Sequence, residues 1–193
     1  MSTAKRFGWV AAALVFAGCG VQSIPQADNA VNGAWGEVQN QYQRRADLVP
    51  NLVETVKGYA SHERETLEGV IAARAKATQV QLNVNDLTPE NLKKFEDAQA
   101  GLRSALGRLL AVAESYPQLK ANENFRDLQV QLEGTENRIT VARNRYIQAV
   151  QEFNNLVTVP PTSFTNSIVY HKQPKPQFSA TTAGAEQAPK VKF

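Results

Sequence analysis

Between Phe125 and Leu156 the apolar positions step by three and four without a break: Phe125, Leu128, Leu132, Thr135, Ile139, Ala142, Tyr146, Ala149, Phe153 and Leu156. This spacing predicts a long helix with one buried seam, packed in a bundle, and Thr135 is the only polar member of it. Leu92, Phe95, Leu102, Leu106, Leu109 and Tyr116 follow the same rule and predict a second helix. Its start is marked by Thr88-Pro89-Glu90, a hydroxyl N-cap followed by proline at the first helical position, and Pro117 ends it. Earlier in the chain, Val31, Trp35, Val38 and Tyr42 lie on one helical stretch, and Val53, Val56, Ala60, Leu67 and Ile71 on another. Proline inside a helix costs about 3 kcal/mol, so residues 47–50 are expected to form a break or sharp kink between them at Pro50. Residues 80–87, with Asn83, Asn85 and Asp86, read as the next turn. The expected fold is all-α, an antiparallel four-helix bundle with long helices.

Seven glycines, Gly33, Gly36, Gly58, Gly69, Gly101, Gly107 and Gly134, fall inside these helical stretches. Close helix packing is the expected reason, in preference to functional hinges. Past Val159 the pattern stops, and five of the nine prolines lie in the last 34 residues. That tail, 159–193, is expected to be extended or disordered, with Phe164, Ile168, Val169 and Tyr170 touching the bundle locally. Its removal is expected to destabilise the domain far less than truncating Leu132.

The first residues follow a different pattern. Lys5 and Arg6 precede an apolar run, Phe7 to Gly18, which as a helix would rise only about 18 Å, against about 30 Å of bilayer hydrocarbon. A positive head, a short apolar stretch and small residues are the pattern of an export signal. The run ends Phe16-Ala17-Gly18-Cys19, which resembles the lipobox of bacterial lipoproteins, with Cys19, the only cysteine of the chain, as the acylated residue. Alternatives are a secreted protein with an unpaired cysteine, or an N-terminal membrane anchor beside an incidental one. On the lipoprotein reading, 1–18 is a signal peptide, 19–27 a short tether, and 28–158 the bundle. The address is then the cell membrane or outer membrane, on the extracytoplasmic side.

Composition narrows the chemistry. With 193 residues and 42% apolar content there is material for one domain with a real core. The net charge is +3, and loss of Lys5 and Arg6 with the signal leaves 19 basic against 18 acidic residues. Nothing here has the basic footprint of a nucleic-acid binder. One cysteine and two histidines do not make a zinc or iron–sulfur cluster. Neither His62 nor His171 follows a glutamate by three positions, as a di-iron bundle needs, and Thr66 stands where a zinc-protease helix would carry its second histidine. No catalytic residue, metal or cofactor is therefore expected. Glu133 and Glu136 read as a solvated face or an ion pair with Arg138.

Polar residues gather at two places. Arg44, Arg45, Asp47 and Asn51 surround Pro50, while Glu114, Lys120, Asn122, Glu123 and Asn124 surround the turn after Pro117. If helix 50–80 runs antiparallel to 88–116, both sets share one end of the bundle. They are either helix caps or a partner or ligand surface.

Two stretches carry a family resemblance. Arg44-Arg45-Ala46-Asp47-Leu48-Val49-Pro50-Asn51-Leu52-Val53-Glu54-Thr55-Val56-Lys57-Gly58-Tyr59-Ala60 resembles the first signature of the LemA family, and Ala113-Glu114-Ser115-Tyr116-Pro117-Gln118-Leu119-Lys120-Ala121-Asn122-Glu123-Asn124-Phe125 the second. Glu136-Asn137-Arg138-Ile139 and Ala142-Arg143 extend it, over roughly residues 28–158. Ala46 replaces a usual tyrosine, Ile147 replaces the asparagine that normally follows Tyr146, and a lipobox-like signal stands where many members carry a transmembrane helix. The resemblance implies an antiparallel four-helix bundle held at a membrane, with no established catalytic residues and no known cofactor. Anchor, bundle and absent catalytic constellation together lead to the expectation of a non-catalytic scaffold or adaptor for envelope proteins, with a membrane bound through the N-terminal lipid. The alternative is a receptor for a small molecule or peptide at the polar end.

Overall fold

The computed structural model of the chain describes residues 21–178. The signal-like run, Cys19 and the last fifteen residues lie outside them. Six α-helices are found among the described residues: α1 (Ser23–Lys57), α2 (Arg64–Gln79), α3 (Pro89–Ala113), the short α4 (Pro117–Ala121), α5 (Glu123–Thr158) and the short α6 (Thr162–Thr165). A 3-10 turn covers Val84–Asp86 and a π turn Asn166–Tyr170. No strand occurs among the described residues, so the all-α bundle is as expected.

α1 and α5 are the two long rods and pack on each other antiparallel, with Ile24 clustering near Phe153 and Val157, and Val56 near Phe125 and Leu132. α2 and α3 form the second antiparallel pair. The hydroxyl of Tyr116 donates to Glu63 Oε1 at 3.0 Å where their far ends meet. The intervening segment 80–88 is pinned to α1, since Trp35 Nε1 and Gln39 Nε2 both donate to the carbonyl of Leu82, at 2.9 and 2.8 Å. The caps are those the sequence spells out. Thr88 accepts from Asn91 N–H before α3, and Asn122 from Phe125 N–H before α5.

Of the break or sharp kink expected at residues 47–50, the break does not occur. α1 runs through Pro50 and ends at Lys57, and the chain reverses at residues 58–63 instead. Proline cannot donate to the carbonyl four residues back, which would leave the Ala46 oxygen without a partner. Arg74 of α2 supplies one, its Nε donating to Ala46 O at 2.8 Å. A donor 28 positions away in sequence thus replaces the bond that Pro50 removes.

The glycines are not packing contacts. A Cβ built at Gly33, Gly36, Gly69, Gly101, Gly107 or Gly134 meets nothing within 4 Å, which overturns the close-packing expectation. The tail also differs from a loose strand. α6 and the π turn fold residues 162–170, and 171–178 then run extended back along α1 and α5. Phe178 is buried against Trp35 and Tyr146, with ring centroids at 6.1 and 5.3 Å. Asn154 exchanges two hydrogen bonds with the backbone of Lys175, at 2.9 and 2.8 Å, and Tyr146 Oη donates to Pro176 O. Tyr170 packs on the bundle, but Phe164, Ile168 and Val169 face outward.

Candidate functional site

The core is two cores. One apolar cluster holds α1 from Ile24 to Tyr42, Leu92 and Phe95 of α3, α5 from Ile139 to Val157, and Phe178. The other holds α1 from Val49 to Val56, α2, α3 from Leu102 to Ala113, and α5 from Phe125 to Leu132. Between them, at one level, the inward positions are Arg45 on α1, Gln99 on α3, and Thr135 with Glu136 on α5. This polar belt joins three helices through one ion pair and its hydrogen bonds.

Arg45 is its centre and is only 2% exposed. Its Nη1 donates to Glu136 Oε1 at 2.9 Å, and its Nη2 donates to both the backbone oxygen and Oε1 of Gln99, at 3.0 and 2.6 Å. The guanidinium lies over the ring of Tyr42 at 5.0 Å, and its Nε has no hydrogen-bond partner among the described residues. Gln99 turns its amide nitrogen to Ala77 O at 3.1 Å, closing one of the carbonyls that the end of α2 leaves open. Beside this set, Arg143 pairs with Glu96 at 3.0 Å, and its guanidinium stacks on Phe178 at 4.4 Å. Burial raises the pKa of the Tyr42 phenol, partly offset by the charges of Arg143 and Arg45. Tyr146, one turn above, is pushed up to about 12 by burial. Both phenols are therefore neutral hydrogen-bonding groups at any physiological pH. A cleft of about 440 Å³ opens beside the belt, lined by Tyr42, Arg45, Glu96, Gln99, Glu136 and Arg143 among others.

This arrangement holds fixed positive charge inside a bundle and spends it on carboxylates of the same chain. It contains no nucleophile with an adjacent base. Among the described residues no three of His, Cys, Asp and Glu lie close enough together to hold a metal ion.

The two polar sets read from the sequence are not brought together. Arg45 and Gln99 lie level, and Gln99 is about 21 Å of helix rise from the end of α3. Arg45 is also no surface residue, which removes it from the candidate interaction surface. Arg44, Asp47 and Asn51 are exposed on the flank of α1, with Asp47 accepting from Gln43 at 2.7 Å. At the far turn Glu114 pairs with Lys120, Asn124 is exposed, and Asn122 both caps α5 and donates to Tyr59 Oη at 3.0 Å. What faces that turn is therefore the 58–63 reversal. Glu136 pairs with Arg45 and not with Arg138. Gln99, Glu96 and Arg143 were missed as site residues, although Gln99 sits in register between Phe95 and Leu102, as Arg45 does between Tyr42 and Val49.

Both quoted signatures map onto these features: the first supplies Arg45, the Ala46 carbonyl and Pro50, the second the turn from α3 through α4 into α5. A sequence profile described as the LemA family matches residues 34–193. The chain belongs to the LemA family. Among its relatives, the magnetosome protein MamQ 2 of Paramagnetospirillum magneticum is 27% identical over 148 residues, covering 68% of this chain and 54% of that protein. The magnetosome protein MamQ of Magnetospirillum gryphiswaldense is 25% identical over 156 residues, 68% of this chain and 57% of that protein. The protein LemA of Metamycoplasma hominis is 25% identical over 140 residues, 72% of this chain and 59% of that protein. The chain thus spans a little over half the length of the curated relatives it matches, and its LemA-family region takes in α1 from its fourth turn onward, the belt and the tail.

Proposed function

We propose that this LemA-family chain is a non-catalytic scaffold or adaptor for envelope proteins, tethered on the extracytoplasmic side of a membrane by a lipid on Cys19. One observation carries the reading: the buried charges of the belt are bonded to one another, Arg45 to Glu136 and Gln99, Arg143 to Glu96, as in a strut. The exposed sets are then the docking surfaces, Arg44, Asp47 and Asn51 on the flank of α1 and Glu114, Lys120, Asn122 and Asn124 around the far turn. No helix among the described residues is long and apolar enough to cross a membrane, so on this reading the anchor lies before Val21.

The test places a photo-crosslinking residue at Asn51 or Lys120 in intact cells. Discrete heteromeric adducts are expected, and Arg44→Glu should abolish those from the α1 flank without moving the melting temperature. Recovery of monomer alone from every position would overturn the adaptor reading. Cys19→Ser should in turn release the protein from membranes; retention of that variant would overturn the lipid anchor. A second reading, a receptor for a small molecule, rests on the cleft beside Arg45, and saturable binding lost in Arg103→Ala would favour it, since Arg103 lines that cleft from its exposed side.

A further inference from the structure

Among the described residues, the end of the bundle where α1 begins carries no charge. From Phe153 to Tyr170, eighteen residues, there is no Asp, Glu, Lys or Arg, in a chain where one residue in five is charged. Across from it, the first charged residue after Cys19 is Asp28. The two segments are joined, since Tyr170 Oη donates to Val21 O at 2.6 Å. The surface they make is apolar and open. Phe164 and Ile168 are 64% and 76% exposed, Val21, Val159 and Val169 about half, and a groove of about 620 Å³ runs among Val21, Pro160, Pro161, Phe164, Ile168 and Val169. Large apolar side chains gathered at one tip mark an interaction surface.

Charge resumes as a collar. Asp28 takes ion pairs from Lys172 at 2.9 Å and Lys175 at 2.5 Å, seven residues into α1 from Val21 and so about 10 Å from the tip. An uncharged cap of that depth, with a tyrosine at its rim, matches the about 5–10 Å to which apolar faces enter the headgroup and acyl boundary of a bilayer. The chain itself says which surface is near. Val21 lines the groove and is two residues from Cys19, so the two Cα atoms are at most about 7 Å apart.

We propose that this tip is seated in the interfacial layer of the bilayer, with Phe164, Ile168 and Val169 among the acyl chains and the Asp28–Lys172–Lys175 collar at headgroup level. The proposal rests on the N-terminal anchor at Cys19 and adds a second contact that sets the bundle upright on the membrane. A lipid alone would leave the rod free to lie down; two contacts at one end hold it.

The test uses the mature lipid-bearing protein in phosphatidylcholine vesicles that contain a lipid with a nitroxide on its acyl chain. Ile168→Cys and, at the opposite end, Gln118→Cys are each labelled with an environment-sensitive dye, and an unchanged melting temperature checks the fold of each. The expected result is a blue-shifted label at 168 that the nitroxide lipid quenches and aqueous iodide does not, and the reverse at 118. Protein that sediments with vesicles while the 168 label is open to iodide would overturn the seated tip and leave the anchor standing. Protein that stays in the supernatant would overturn the anchor reading and the proposal with it. A 168 label shielded from both quenchers, in a protein that has become dimeric, would overturn it in favour of a second copy.

Discussion

Removing Glu136 should cost more than removing Arg45, although they form one ion pair. In Glu136→Ala the guanidinium of Arg45 stays 2% exposed with its counter-charge gone, keeping only the two oxygens of Gln99. Breaking a buried pair from one side costs about 3–5 kcal/mol, and water reaching the cleft brings the expectation here to about 2–3 kcal/mol. In Arg45→Met the charge left behind is that of Glu136, whose side chain is 33% exposed and can be hydrated, so the expected loss is about 1–2 kcal/mol. Arg45→Met with Glu136→Leu leaves neither charge, and should be no less stable than Arg45→Met alone, with Gln99 still bonded to Ala77. Urea unfolding followed by helical circular dichroism measures all three. Thermal midpoints should fall by about 4–12 °C for Glu136→Ala, at about 2–4 °C per kcal/mol for a chain of this size. With Glu136→Leu alone closing the cycle, additivity of the Arg45→Met and Glu136→Leu losses in the double variant to within about 0.5 kcal/mol would show that the groups do not interact, and would refute the belt as an ion-paired unit.

Arg74→Met should cost about 1–3 kcal/mol by leaving the Ala46 carbonyl without a donor, and in a Pro50→Ala background, where residue 50 regains its N–H, that cost should shrink to nearly nothing in a double-mutant cycle. Gly101→Ala, Gly107→Ala and Gly134→Ala should each raise stability by about 0.5–1 kcal/mol in urea titrations, since an added methyl meets no neighbour; a loss at any of them would expose a contact of the folded state not seen here. Phe178→Ala should cost about 3–5 kcal/mol, which reverses the expectation that the tail is dispensable. Burial would raise the pKa of Asp28, but the hydrogen bonds and charges of Lys175 and Lys172 outweigh it and hold the carboxyl below its ordinary value. Its contribution is therefore present above about pH 4 and lost as pH falls through the lower folded value; amide protection of residues 172–178, measured against the intrinsic exchange rate, should fall in that range, and Asp28→Asn should lack that protection already at pH 7.

The α3 and α5 seams and the caps at Thr88 and Asn122 were legible because they rest on local spacing and local hydrogen bonds. Where the reading failed, a distant residue decided the outcome. Pro50 signals a break to any local rule, and only the fold brings Arg74 to Ala46. A helix end at residues 47–50 makes Arg45 a cap or a surface residue, although 42, 45 and 49 continue the seam of α1. The same displaced boundary put Ile71 on the buried face. α2 starts afresh at Arg64, and its inward residues are Leu67, Val70 and Ala77, leaving Ile71 54% exposed. Phe178 offered no signal, because a single aromatic after a run of prolines has no period to betray it.

The belt and the uncharged tip bear on the same property, the height at which this bundle presents its surfaces. From Val21, just before α1, to Arg45 is 24 residues, about 36 Å at helical rise, and the 58–63 reversal lies about 20 Å farther. With the tip at the bilayer, the flank of Arg44, Asp47 and Asn51 stands about 35–45 Å above the acyl boundary, out of reach of a partner's membrane-embedded segments and within reach only of a folded domain that rises from the membrane. That height depends on register. A slip of α1 against α5 by one heptad would still set apolar positions against apolar positions, and would displace the far turn by about 10 Å. A buried arginine tolerates no such slip, because its carboxylate and the two oxygens of Gln99 exist at one level only. Replacing the pair by Met and Leu should therefore cost no more stability than Arg45→Met alone and loosen the height, read as a broadened distance distribution between spin labels on exposed positions of α1 and α5. An unchanged, narrow distribution in that variant would mean that the apolar seams set the register unaided, and that the ion pair has no part in fixing the length of the rod.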